Sequence, residues 1–214
     1  MQNSWLNPDW RIQELDNASL DGISSNTSKM IYALIESSLM PNWKVELYQH
    51  INQHQLSEPY SESLFSGTHY QHLELGPVVV NITSYPELQT KWLTQFEQAP
   101  LGCILVAPSH VQQNHIADLL RNRLTIYKNA TPTFLRYYEP RTMLAFIGAL
   151  SNEERQHFFY PINAVYWHHN QWFQAHWSDP EIVPKQLGSW KMPPTQLNKM
   201  TDIMQQIQSH EVLA

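Results

Sequence analysis

A chain of 214 residues that is 42% hydrophobic and 12% aromatic carries enough apolar material for one substantial core. Its 13 Lys and Arg residues stand against 19 Asp and Glu, a formal net charge of −6, and the basic residues are scattered rather than clustered. Nucleic acids and anionic membranes both select concentrated positive charge, so neither is an expected partner.

Residues 1–28 are polar with isolated anchors at Trp5, Leu6, Trp10, Ile12 and Leu15, and are expected to form an arm that lays these side chains on the main body. They contain no basic stretch followed by an apolar one, and no apolar run in the chain approaches a bilayer crossing, so a soluble, cytoplasmic protein is expected. The body is expected to span 29–178, followed by a proline-containing linker and a C-terminal helix over 179–214.

Met30 to Ile35 reads as the first strand. After Pro41, Trp43, Leu47, Tyr48 and Ile51 recur at helical spacing, predicting an amphipathic helix to about His54. A short strand is expected at Leu64-Phe65. Pro77 to Thr83, with Val78, Val79, Val80 and Ile82, is a buried strand, and Ser84 and Glu87 have the spacing of a capping box for the next helix. Leu101 to Ala107 is a further apolar strand, and Ser109 and Gln112 repeat the cap spacing. Strand, helix, strand, helix in such short units predicts an α/β fold: a mixed sheet with a parallel strand-helix-strand core flanked by helices.

Leu124 to Tyr127 and Phe134 to Tyr138 then form an antiparallel hairpin, the second strand running from Thr133 through Tyr138. Pro140 stops that strand and opens a helix from Arg141 to Leu150, since proline lacks a ladder N–H but suits a first helical turn. Arg136, Glu139 and Arg141 crowd this corner, where Glu139 complements the helix dipole and either arginine can hold it. Ser151 and Glu154 cap another short helix. Asn163 to His168 and Gln171 to Trp177 make a second hairpin about His169-Asn170. Leu197, Met200, Met204 and Ile207 form the apolar line of a last helix near Thr195 to Ser209, with home packing preferred to a partner groove.

Catalytic signatures are sparse. His50 and His54 lie four apart with Glu46 one turn earlier, a spacing able to present two imidazoles to a metal, but HExxH is absent and such pairs are common on solvated helix faces. His168, His169 and His176 read as surface or aromatic-packed residues. Cys103, the single cysteine, lies in an apolar run that keeps a thiol unreactive. No nucleophile elbow or glycine-rich phosphate loop occurs, so no catalytic residue, metal or cofactor is expected. The aromatics Tyr166, Trp167, Trp172 and Trp177 are candidate partner-binding side chains, because one hairpin offers too few faces to hide them; packing at home is the competing reading.

Several stretches resemble one family. Ile31-Tyr32-Ala33-Leu34-Ile35-Glu36, Leu64-Phe65-Ser66-Gly67, Leu101-Gly102-Cys103-Ile104-Leu105-Val106 and Leu119-Leu120-Arg121-Asn122-Arg123-Leu124 are similar, in that order, to the type VI secretion effector adaptor/chaperone family, called Tap or TEC and long filed as a domain of unknown function. Leu135-Arg136-Tyr137-Tyr138-Glu139-Pro140-Arg141 resembles its arginine, aromatic, aromatic, acidic, proline, arginine signature, and Pro161-Ile162 follows as in the family. Glu139 stands where aspartate is more frequent, and Tyr160 where glycine is usual. The resemblance covers about residues 29 to 177. It implies a non-enzymatic binding protein that loads a toxin effector onto the VgrG spike, with Arg136, Tyr137, Tyr138, Glu139, Pro140 and Arg141 serving the corner's integrity or partner contact. The competing classes are a metal-dependent hydrolase using the histidine clusters and a binding module for an unrelated partner.

Overall fold

The computed structural model describes residues 6–16, 28–128, 130–178 and 190–213. Trp5, most of the second half of the arm and residues 179–189 of the linker lie outside them. Among the described residues, the strands are β1 (Ile12–Leu15), β2 (Lys29–Glu36), β3 (Ser61–Ser63), β4 (Pro77–Asn81), β5 (Gly102–Pro108), β6 (Thr125–Lys128), β7 (Thr131–Phe134), β8 (Ala164–His169), β9 (Gln171–His176) and β10 (Trp190–Lys191). The helices are α1 (Trp43–His54), α2 (Pro86–Gln98), α3 (Gln113–Arg123), α4 (Pro140–Ala149), α5 (Asn152–Phe159) and α6 (Pro194–Leu213). None of them is long and apolar enough to cross a membrane.

The α/β class holds, but the parallel core does not. Seven strands form one sheet in the order β1-β9-β8-β5-β2-β4-β3, and every pairing in it is antiparallel. β4 and β5 run the same way and are joined through α2, as a strand-helix-strand unit requires. However, β2 lies between them and bonds to both. Apolar continuity reports that a strand is covered on two faces and is silent about the direction of its neighbours. The first hairpin, β6-β7, forms a separate three-stranded sheet with β10, which pairs parallel to β6.

Strand alternation divides the core into two layers. Ile31, Ala33 and Ile35 of β2 face α1 and α2, packing with Trp43, Leu47, Ile51, Leu88, Trp92 and Phe96. Tyr32 and Leu34 face the other way, toward α3, α4 and α5. α6 packs on α4, burying Ile203 and Ile207, with Leu197, Met200 and Met204 half-buried beside them. Close approach there depends on Gly148, where a Cβ would meet Ile203 Cδ1 at 3.1 Å and the Trp10 ring at 3.2 Å.

The N-terminal segment belongs to this core. A short 3-10 helix, Pro8–Trp10, leads into β1, which pairs with β9 as an edge strand. Arg155 of α5 fixes it, donating to the carbonyl oxygens of Trp10 and Asp9 and, at 3.1 Å, to that of Leu150.

Local expectations fail where a neighbour offers a better partner. Leu64 and Phe65 are not a strand: they follow polar β3 and turn inward, Leu64 N donating to Pro77 O at 2.9 Å. Neither Ser84 nor Ser109 caps a helix; Tyr85 and Gln112 are the N-caps, without side-chain cap bonds, and Pro86 starts α2 directly. Ser151 and Glu154 do form the full capping box of α5.

Gly102 opens β5 at φ 153°, and a Cβ there would lie 1.9 Å from Leu34 O, inside the central pairing. Gly102→Ala is expected to destabilise the protein by roughly 3 kcal/mol or more, because backbone on β2 must move to admit it. Urea unfolding of the two proteins measures the difference.

Candidate functional site

The charged corner is a turn rather than the end of a strand. β7 stops at Phe134; Leu135 to Glu139 form an irregular bend closed by Glu139 N donating to Arg136 O at 3.0 Å, and Pro140 begins α4. The expected strand through Tyr138 is therefore four residues too long. Tyr137 and Tyr138, neighbours that a strand would send to opposite faces, are both drawn inward. Tyr137 donates its hydroxyl to Leu120 O at 2.9 Å, and Tyr138 donates to Glu36 Oε2 at 3.0 Å.

Glu36 supplies what the sequence does not announce. It ends central strand β2 and is 6% exposed. Its Oε2 accepts from Tyr138 and, at 3.3 Å, from Arg136 Nη2, while its Oε1 accepts from the Ser38 hydroxyl at 2.9 Å. Arg136 Nη2 lies equally close to Glu139 Oε2, 3.3 Å away. One guanidinium thus bridges two buried carboxylates, and Arg141 Nε closes the cluster on Glu139 Oε1 at 2.7 Å. Both Arg136 contacts come from one nitrogen, and the guanidinium keeps its charge fixed between them. The only hint in the sequence was the acidic residue ending the first strand motif.

The cluster sets the ionisation of its members. Burial disfavours the charged form of Glu139, but the hydrogen bond and charge of Arg141, aided by Arg136, outweigh it and hold the carboxyl below its ordinary 4.5. For Tyr138, burial and the adjoining Glu36 carboxylate both push the phenol up, so it stays a donor. Glu139 also begins α4 through its backbone, accepting from the N–H groups of Thr142 and Met143 at 3.0 Å. This is geometry that holds a bend; its charges are committed to one another.

The hairpin aromatics are interior. Tyr166, Trp167, Trp172 and Trp177 are all 6% exposed or less. The hairpin is not at an edge, because β5 and β1 flank it and both its faces are covered. Trp167 stacks on Phe173 at 5.5 Å in one layer, whereas Tyr166 and Trp172 enter the other. Trp172 donates to Glu97 at 2.7 Å and Trp177 to Ile162 O at 2.7 Å, so their polar ends are satisfied within the chain. Cys103 is also buried, and burial pushes its thiol pKa up.

The described apolar side chains left in solvent lie elsewhere. All the large ones except Tyr127 and Phe134 fall between residues 39 and 75: Leu39, Val45, Tyr48, Leu56, Leu73 and Leu75. That stretch supplies α1, edge strand β3 and the loop into β4. Leu75, 57% exposed, borders a cavity of about 250 Å³ with Pro41, Trp43, Lys44 and the β3 residues Ser61, Glu62 and Ser63.

Because Glu139 ionises more readily folded than unfolded, its contribution is complete above about pH 4.5 and fades as pH falls through its lower folded value. Glu139→Gln is expected to lower stability by about 2 kcal/mol near neutrality, and the gap to wild type should narrow as pH falls below 4.5. Thermal melts of both proteins from pH 7 to 3 check this; a gap constant with pH would mean that charge is not what Glu139 contributes. Arg141→Ala, at a largely exposed position, should cost under about 1 kcal/mol, less than Arg136→Ala.

No curated protein and no solved structure matches the chain. A family described as "Domain of unknown function (DUF4123)" matches residues 31–157, more than half of the chain and all of the charged corner. The chain belongs to that family.

Proposed function

We propose that this protein is a cytoplasmic, non-catalytic adaptor that binds a type VI secretion toxin effector and loads it onto the VgrG spike. The observation that carries this reading is the family match. It encloses every stretch by which the sequence resembles the type VI adaptors except Pro161-Ile162. Support for a binding rather than chemical role comes from the corner, whose charges hold strand β2, the bend and α4 together.

Most of the signature residues serve the scaffold. Tyr137, Tyr138, Glu139 and Pro140 are buried, as are Leu64, Leu119, Leu120 and Leu124. Arg136 and Arg141, with 39% and 58% of their side chains exposed, stay within reach of a partner. The exposed leucines, valine and tyrosine between residues 39 and 75 favour that stretch of chain as contact surface, since apolar side chains release the most free energy on leaving water.

Co-expression with effector and spike fragments encoded nearby tests the proposal, and a stable complex with both is expected. The Leu73→Asp/Leu75→Asp variant should capture the effector at least about tenfold more weakly, as expected when ~1.4 kcal/mol or more of contact is lost, with an unchanged melting temperature. Undiminished capture would move the surface elsewhere; failure to bind either partner would reject the adaptor role.

A further inference from the structure

On the face of the sheet covered by α1 and α2, three potential metal ligands converge at the chain's surface. His50 and His54 stand one turn apart near the C-terminal end of α1, and Glu87 stands in the first turn of α2. One ligand atom from each lies within 4.8 Å of the other two. His54 Nε2 already sits 3.0 Å from Glu87 Oε2, and the two imidazole centroids are 4.5 Å apart. Tetrahedral coordination with bonds of about 2.0–2.1 Å places ligand atoms roughly 3.3 Å from each other, so small side-chain rotations suffice to close the set.

The neighbours hold the ligands in place. His50 packs against the edge of Tyr85, and Tyr85 in turn donates its hydroxyl to Ser57 O at 2.5 Å. Glu46, the carboxylate expected from sequence to accompany the histidines, is instead engaged by Trp92, Gln95 and Lys91. That pairing offsets the ammonium of Lys91, whose charge acts on His50. Glu87 is released for this place because Pro86 and Tyr85 start α2 without a capping box.

We propose that His50, His54 and Glu87 form a binding site for a zinc-class divalent cation, with water completing its coordination. Two imidazoles and one carboxylate suit Zn²⁺, whereas Mg²⁺ and Ca²⁺ demand oxygen ligands. The bound ion clasps the end of α1 to the start of α2. β4 runs from Pro77, opposite Glu36, to Asn81, opposite Tyr32, so α2 begins at the far end of the sheet from the charged corner. The site therefore concerns metal binding and helix anchoring, and it stands independently of the adaptor role.

The test uses the full chain without a polyhistidine tag, stripped with EDTA and titrated with ZnCl₂ by calorimetry. One saturable equivalent is expected, with a melting temperature raised by about 5 °C at a hundredfold excess over Kd and restored by EDTA. The His50→Ala/His54→Ala variant should lose that equivalent while keeping its circular dichroism and metal-free melting temperature. Glu87→Gln should weaken binding by at least about tenfold, a size that even outer-shell changes reach. Absence of a saturable equivalent, wild-type zinc affinity in the double variant, unchanged affinity in Glu87→Gln, or an equal response to MgCl₂ would each overturn the assignment.

Discussion

The fold is locked where the central strand meets the bend, through the carboxylate of Glu36. A buried anion at the end of β2 is costly unless charge and hydrogen bonds surround it, and Arg136, Tyr138 and Ser38 do so. Two of those partners come from a segment a hundred residues later. The position of α4 relative to the sheet follows, because Arg136 also grips Glu139, the residue from which α4 starts. Hydrophobic packing supplies most of the stabilisation on either side of the sheet; this polar knot fixes which way the segment after β7 turns.

That division of labour accounts for the residues found between positions 136 and 141. Proline gives the helix its first turn, the aromatic pair reaches α3 and β2, and the two arginines neutralise one carboxylate each or jointly. The Glu139 carboxylate reaches both guanidinium groups.

Much of the fold was legible because it rests on local chemistry. Proline at 140 and the Ser151-Glu154 box start helices with their own side chains, and the turn at Asn170, with φ 62°, closes its hairpin as expected. Partnership between distant segments was not legible. Near-continuous apolar runs in 31–35 and 78–82 indicate that both faces are covered, yet nothing in those residues says that β2 separates β4 from β5. The tryptophans of β8 and β9 exceed what one hairpin can hide, and the half-polar sequence of 12–15 does not announce the strand that moves their hairpin inside the sheet. Glu36 ends an apolar strand motif, but its role depends on Arg136 and Tyr138, which no spacing rule connects to it.

The placement of β1 against β9 has a consequence for how the chain is made. β1 is made well before its hydrogen-bonding partner, which lies between residues 171 and 176, so Trp10 and Ile12 wait uncovered until that partner follows. β2 meets the same delay on a smaller scale, since β4 and β5 arrive tens of residues after it. Closure over such separations is slow, and nascent chains of this protein are correspondingly exposed to aggregation until the C-terminal hairpin emerges.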